Sequence, residues 1–89
     1  MRRFVFKFGE GNKLTIKPPT LRAYYKGLLA ADSDEQLFAA VADICGRNDE
    51  NIPVNADFVI DNFSTDDLSR FMTELPAWVK FERKADPNS

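Results

Sequence analysis

Phe4-Val5-Phe6-Lys7-Phe8-Gly9-Glu10-Gly11-Asn12-Lys13-Leu14-Thr15-Ile16 is the stretch that decides the fold. Phe4, Phe6 and Phe8 alternate with Val5 and Lys7, the period of two that marks a strand with one buried face. Leu14 and Ile16 repeat the pattern against Lys13, Thr15 and Lys17, and the glycines between the two runs are turn residues. The loop length follows from the faces. A two- or four-residue loop sets Phe8 against Lys13, whereas an odd loop sets Phe6 against Leu14 or Ile16 and keeps both apolar rows together. A slip of one residue would turn the second strand inside out. An odd loop is therefore expected, with Gly11 at positive φ. A lone hairpin is marginal in water, so the Phe face must rest on another element.

The rest of the chain supplies that element as helices. Pro18-Pro19 ends the second strand, and Thr20 can cap a helix over about 20–30 in which Leu21, Tyr24, Tyr25 and Leu28 form an apolar stripe. Arg22 and Lys26 lie on its solvent side, and Gly27 suggests close approach of another backbone, the hairpin being the candidate. Ser33-Asp34-Glu35-Gln36 is a capping box that opens a helix over 34–45, with Leu37, Phe38, Val41, Ile44 and Cys45 inward and Gly46 as the residue that ends it. Arg47 to Pro53 reads as a polar loop. Residues 54–61 fit either strand or helix, and Asn55 as a cap favours a short helix over 55–61. Ser64-Thr65-Asp66-Asp67 is a second capping box, and Leu68, Phe71, Met72 and Leu75 extend an apolar stripe over 65–75 to Pro76. Ala77 to Phe81 fits a short helix or a third strand. The expected architecture is α+β: a hairpin over about 2–17 packed on three to four short helices, one domain over residues 1–82, with 83–89 a frayed tail.

Composition removes most chemistries. The chain has 89 residues, room for one modest core and no deep pocket. It has no His, so the usual general base and the commonest metal ligand are both missing. Cys45, the one cysteine, falls at the end of an apolar stripe and reads as a small buried hydrophobe rather than a nucleophile. A single thiol also suits a reducing cytosol, and no apolar run is long enough to span a bilayer. Phosphate-cradling glycine motifs do not occur, and an EF-hand loop begun at Asp61 would place Asp66 and Met72 where Gly and Glu are required. The expectation is a protein that is not an enzyme and takes no cofactor or metal.

Charge is unevenly spread. Residues 1–31 sum to +6 and residues 32–76 to −9, within a net charge of −2. Basic residues interleaved with Phe4, Phe6 and Phe8 raise a nucleic-acid reading, but alternation turns those rings away from Lys7, and the acidic middle repels phosphate. The acids Asp34, Glu35, Asp66 and Asp67 each sit at a helix start, where the helix dipole favours them. A protein partner fits better. Tyr25, Trp78 and Phe81 are the aromatics offered for that contact, since Trp78 and Phe81 lie beyond the last capped helix.

Residues 15–75 resemble the tail assembly chaperones of long-tailed bacteriophages. The resemblance lies in Lys17-Pro18-Pro19-Thr20-Leu21-Arg22, in Asp34-Glu35-Gln36-Leu37 leading through Val41-Ala42-Asp43-Ile44-Cys45 to Gly46, and in Asp57-Phe58 through Phe63 to Ser64-Thr65-Asp66-Asp67-Leu68. These motifs are caps and stripes, not catalytic signatures. The resemblance implies a non-enzymatic chaperone of the host cytoplasm that coats the helical tape measure protein and leaves as tail tube subunits polymerise. Copies of the chain, basic at one end and acidic in the middle, would associate weakly head to tail. The alternative is a small nucleic-acid-binding or regulatory adaptor built on the basic, aromatic hairpin.

Overall fold

The Phe-rich stretch folds as an antiparallel hairpin of β1 (Phe4–Phe8) and β2 (Asn12–Ile16), with Phe6 opposite Leu14 and Phe4 opposite Ile16. The computed structural model describes residues 2–85. The loop is the odd one that the apolar rows require: Gly9-Glu10-Gly11, with φ of +57° at Gly9 and +79° at Gly11. Phe4, Phe6, Phe8, Leu14 and Ile16 are all buried on one side.

Segment 47–53 is more ordered than a polar loop. Asn48 is buried, its Nδ2 donating to Cys45 O and Ile52 O at 2.8 Å while its Oδ1 accepts from Ile52 N–H at 2.9 Å. That side chain shapes a turn which pairs with the outer edge of β2. Lys17 N–H donates to Arg47 O at 2.8 Å, and Asp49 N–H donates to Thr15 O at 2.9 Å. The Glu50 carboxylate accepts from both the N–H and the Oγ1 of Thr15, at 2.7 and 2.6 Å. The edge of a two-stranded sheet is thereby covered.

Four helices pack on the hairpin and on each other: α1 (Arg22–Leu28), α2 (Asp34–Cys45), α3 (Ala56–Asn62) and α4 (Thr65–Ala85). Caps place their starts. Thr20 Oγ1 accepts from Ala23 N–H, Ser33 Oγ from Gln36 N–H and Asn55 Oδ1 from Phe58 N–H. The Gln36 side chain closes its box on Asp32 N–H at 2.8 Å rather than on Ser33. Gly46 does end α2, with φ −66° and so without left-handed backbone; a Cβ there would meet Ala42 O at 3.1 Å.

Three expectations need correction. The helix predicted over 65–75 does not stop at Pro76: α4 runs unbroken to Ala85, which excludes a third strand over 77–81 and a tail beginning at 83. Residues 86–89 of that predicted tail lie outside the described residues. The reason is that the apolar spacing continues from Leu75 to Trp78 and Val79, both packed on the core. Pro76 forfeits the hydrogen bond to Met72 O, a penalty of about 3 kcal/mol that this packing offsets. The helix predicted over 20–30 is shorter and wound as a π-helix, Leu29 N–H donating to Tyr24 O five residues back at 2.9 Å. Gly27, finally, faces α2 and not the hairpin, its missing Cβ lying 3.5 Å from Ala40 Cβ.

The core is aromatic where the hairpin meets α4. Phe6 stands edge-on to Phe71, with centroids 5.2 Å apart at 89°, and Phe4 meets Phe71 and Trp78 at 6.2 and 5.9 Å. A polar clip secures this contact. Asp67, buried in the first turn of α4, exchanges hydrogen bonds with Ser64 as the capping box requires. Its Oδ2 also accepts from Gly9 N–H at 3.2 Å, and its Oδ1 binds Arg70 at 2.6 Å. Arg70 in turn donates to Lys7 O at 2.8 Å and covers the Phe6 ring at 5.0 Å.

The clip predicts acid sensitivity. The Ser64 backbone N–H, with help from Arg70 and Gly9, holds Asp67 below the usual carboxylate range against the opposing effect of burial. The Thr15 hydroxyl and N–H do the same for Glu50. A carboxyl depressed by folding contributes stability that is full above its unfolded value of about 4 and is lost as pH falls through its folded value. Asp67→Asn is expected to lower stability at pH 7 by about 1–3 kcal/mol and to flatten the acid side of the stability profile, measured by urea unfolding between pH 7 and 2. Gly27→Ala, whose new methyl meets only ordinary contacts, is expected to raise stability by about 0.4–1 kcal/mol in the same assay.

Candidate protein-docking groove

Winding decides which side chains of α1 face water. An α-helix would gather Leu21, Tyr24, Tyr25 and Leu28 on one face, and the i, i+3, i+4, i+7 spacing predicts that all four are buried. The π-helix takes more than four residues per turn and splits the set. Tyr24 and Leu28 point into the core, packed toward α2, while Leu21 is 77% exposed and Tyr25 40%. Leu29, one turn further, is 51% exposed, so Leu21, Tyr25 and Leu29 form an outward apolar ridge.

Beside this ridge runs an open groove of about 450 Å³ between the start of α1 and the far half of α4. Pro18, Pro19 and Tyr24 line it from one side, and Trp78, Val79, Glu82 and Arg83 from the other. Its existence depends on α4 passing through Pro76, because the second wall consists of residues beyond that proline. Tyr24 and Tyr25 meet edge to face at 4.9 Å, and Arg83 Nη1 donates to Tyr25 Oη at 3.0 Å across the groove. Burial, with the neighbouring Tyr25 phenol, raises the Tyr24 hydroxyl above its ordinary range, so it stays protonated at neutral pH. Glu82 Oε1 is shielded and accepts no hydrogen bond; Arg2 Nη1 lies 3.9 Å from it.

Two of the three aromatics predicted for a partner come together here. Tyr25 and Trp78 both line the groove, with Trp78 half-buried against Phe4. Phe81 does not line it: its ring is 56% exposed and lies 5.8 Å from the Arg2 guanidinium. Leu29 and the two prolines were not expected at a partner surface from sequence, although Leu21, Tyr25 and Leu29 do stand at i, i+4, i+8. That signal is masked because the α-helical stripe already assigns Leu21 and Tyr25 to the buried face.

Cys45 is fully buried, and burial pushes its thiol up to about 12. Among the described residues no group of three His, Cys, Asp or Glu side chains is placed to hold a metal ion, and no helix is long and apolar enough to cross a membrane. The Phe4, Phe6 and Phe8 rings that a base-stacking hairpin would need are in the core.

No protein-family model matches the chain, no curated protein is significantly similar to it, and no solved structure matches it. The phage resemblance rests on the caps and stripes quoted above.

The ridge and the wall differ in what they do for the fold. Leu21→Ser and Leu29→Ser are expected to change stability by less than about 0.5 kcal/mol, since both side chains are in water. Trp78→Ala, which uncovers Phe4, is expected to cost roughly 2–3 kcal/mol, somewhat less than for a fully buried ring. Thermal or urea unfolding of the three variants checks this, and the two serine variants should also bind less of a hydrophobic dye.

Proposed function

We propose that this protein is a non-enzymatic binding module that shields an apolar stripe on a helical partner, acting as a tail assembly chaperone for a phage tape measure protein. The observation behind this reading is the ridge of Leu21, Tyr25 and Leu29, three large apolar side chains turned to water beside a groove lined by Trp78. Exposed apolar rows of this kind on a small domain are docking surfaces. A helix laid along α1 would bury its own stripe against the ridge and insert side chains between Tyr25 and Trp78. Such shielding is what a long helical protein needs before tail tube subunits assemble around it in the host cytoplasm. A regulatory adaptor would use the same groove for a different helix. A nucleic-acid role for the hairpin finds less support, because its aromatic rings are buried.

Weak association between copies belongs to the same proposal. Lys7 stands directly opposite Lys13 on the outer face of the hairpin, a like-charge pair that a neighbouring acid would relieve. Asp57 and Asp61 are exposed on α3 and suit that role in a second copy.

Co-expression with a phage tape measure protein is the decisive assay. The expected outcome is a soluble complex and a marked gain in tape measure solubility, both lost in a Leu21→Asp/Tyr25→Asp variant that still folds by circular dichroism. A tape measure that stays insoluble and leaves no complex with the wild-type chain would refute the chaperone reading.

A further inference from the structure

The ridge of α1 has a charged row beside it. Arg22 follows Leu21 and Lys26 follows Tyr25, so the two cations repeat one turn apart along the edge of the apolar row. Both are exposed, and no ion pair among the described residues reaches either one. Among the described residues, the one acid that lines the groove is Glu82, whose shielded oxygen already has Arg2 at 3.9 Å. The docking face is thus apolar along its centre and basic along the margin that carries Arg22 and Lys26.

Resting on the docking reading proposed above, we infer that the helix bound here is acidic at its flanks: an amphipathic helix whose apolar stripe is bordered by Asp or Glu one turn apart, in register with Arg22 and Lys26. Acids at that spacing would pair with both cations while the stripe meets Leu21, Tyr25 and Leu29. A basic helix with the same stripe would set like charges together, so the face also selects against wrong partners. The shape of the site favours a helix over other anionic partners. The ridge is two turns long beside a concave groove, too short and curved for a bilayer surface. Its aliphatic members, Leu21 and Leu29, offer nothing to a nucleotide backbone.

Trp78 is the only tryptophan and lines the groove, so its fluorescence reports occupancy directly. The test titrates the full chain with two helical peptides of identical apolar stripe, one flanked by Glu at i and i+4, the other by Lys. At about 50 mM salt the Glu peptide is expected to shift Trp78 emission and bind at least about tenfold more tightly than the Lys peptide. The gap should narrow to roughly threefold or less at about 0.5 M salt, where the screening length is a few ångströms. An Arg22→Glu/Lys26→Glu variant should reverse the order. Equal affinity for the two peptides would overturn the charge assignment and leave the docking groove standing. Failure of both peptides to perturb Trp78 at millimolar concentration would overturn the docking reading itself. Tighter binding of a single-stranded oligonucleotide, of anionic vesicles or of a second copy of the chain than of the Glu peptide would likewise overturn the inference.

Discussion

The edge-on contact of Phe6 with Phe71, sealed by the Asp67–Arg70 clip, is the interaction on which the rest of this structure depends. A two-stranded hairpin cannot hold its register in water unaided. Here the register is fixed because the Phe row must lie on helices: Phe4 and Phe6 against Phe71 and Trp78 of α4, and Phe8 against Phe58 of α3 and Phe63. The clip adds directionality to a contact that hydrophobic burial alone would leave free to slide. Asp67 takes the turn N–H of Gly9 and its own cap N–H at once, while Arg70 takes the carbonyl of Lys7 and roofs the Phe6 ring. The turn after β1 and the strand's start are thereby both referred to α4: Gly9 to its first turn, and Phe4 to Trp78 beyond Pro76.

That last link also builds the groove. Trp78 is drawn onto the hairpin by Phe4, which carries α4 through a proline that would otherwise end it, and the prolonged helix becomes the second wall of the groove. The first wall comes from a departure of a different kind. Helix α1 satisfies its core with Tyr24 and Leu28, and its π winding turns Leu21, Tyr25 and Leu29 outward. Where a sequence patterned for burial is held in water, local preference and folded structure disagree, and such disagreement concentrates at functional sites.

How much of this could be read from the chain depended on whether the signal was local. The hairpin register followed from two rows of alternating side chains and a glycine-bounded turn. The starts of α2, α3 and α4 followed from Ser33, Asn55 and Ser64, because a capping side chain and the N–H it serves lie within three residues of each other. Signals that depend on distant partners were not legible. Pro76 reads as a stop unless Phe4 is known to wait for Trp78. Asp67 is adequately explained as a helix-start acid until Gly9 is brought beside it by a turn 58 residues earlier. Asn48 looks like one polar residue among several, yet it organises the strand-edge cover through three hydrogen bonds. The π winding of α1 was hidden most completely, since its sequence also satisfies an ordinary α stripe. The site was therefore half-legible. Tyr25 and Trp78 were visible as surplus aromatics, whereas the ridge beside them, and the removal of Phe81 from the groove, required the folded backbone.

Amide hydrogen exchange of the chain alone and with a bound acidic amphipathic helix locates the docking face, because each segment reports separately. Protection is expected to be gained over residues 18–29 and 76–83, with the hairpin strands 4–16 and helix α3 unchanged. Protection gained on the outer face of the hairpin or on α3, with 18–29 unaffected, would contradict that placement.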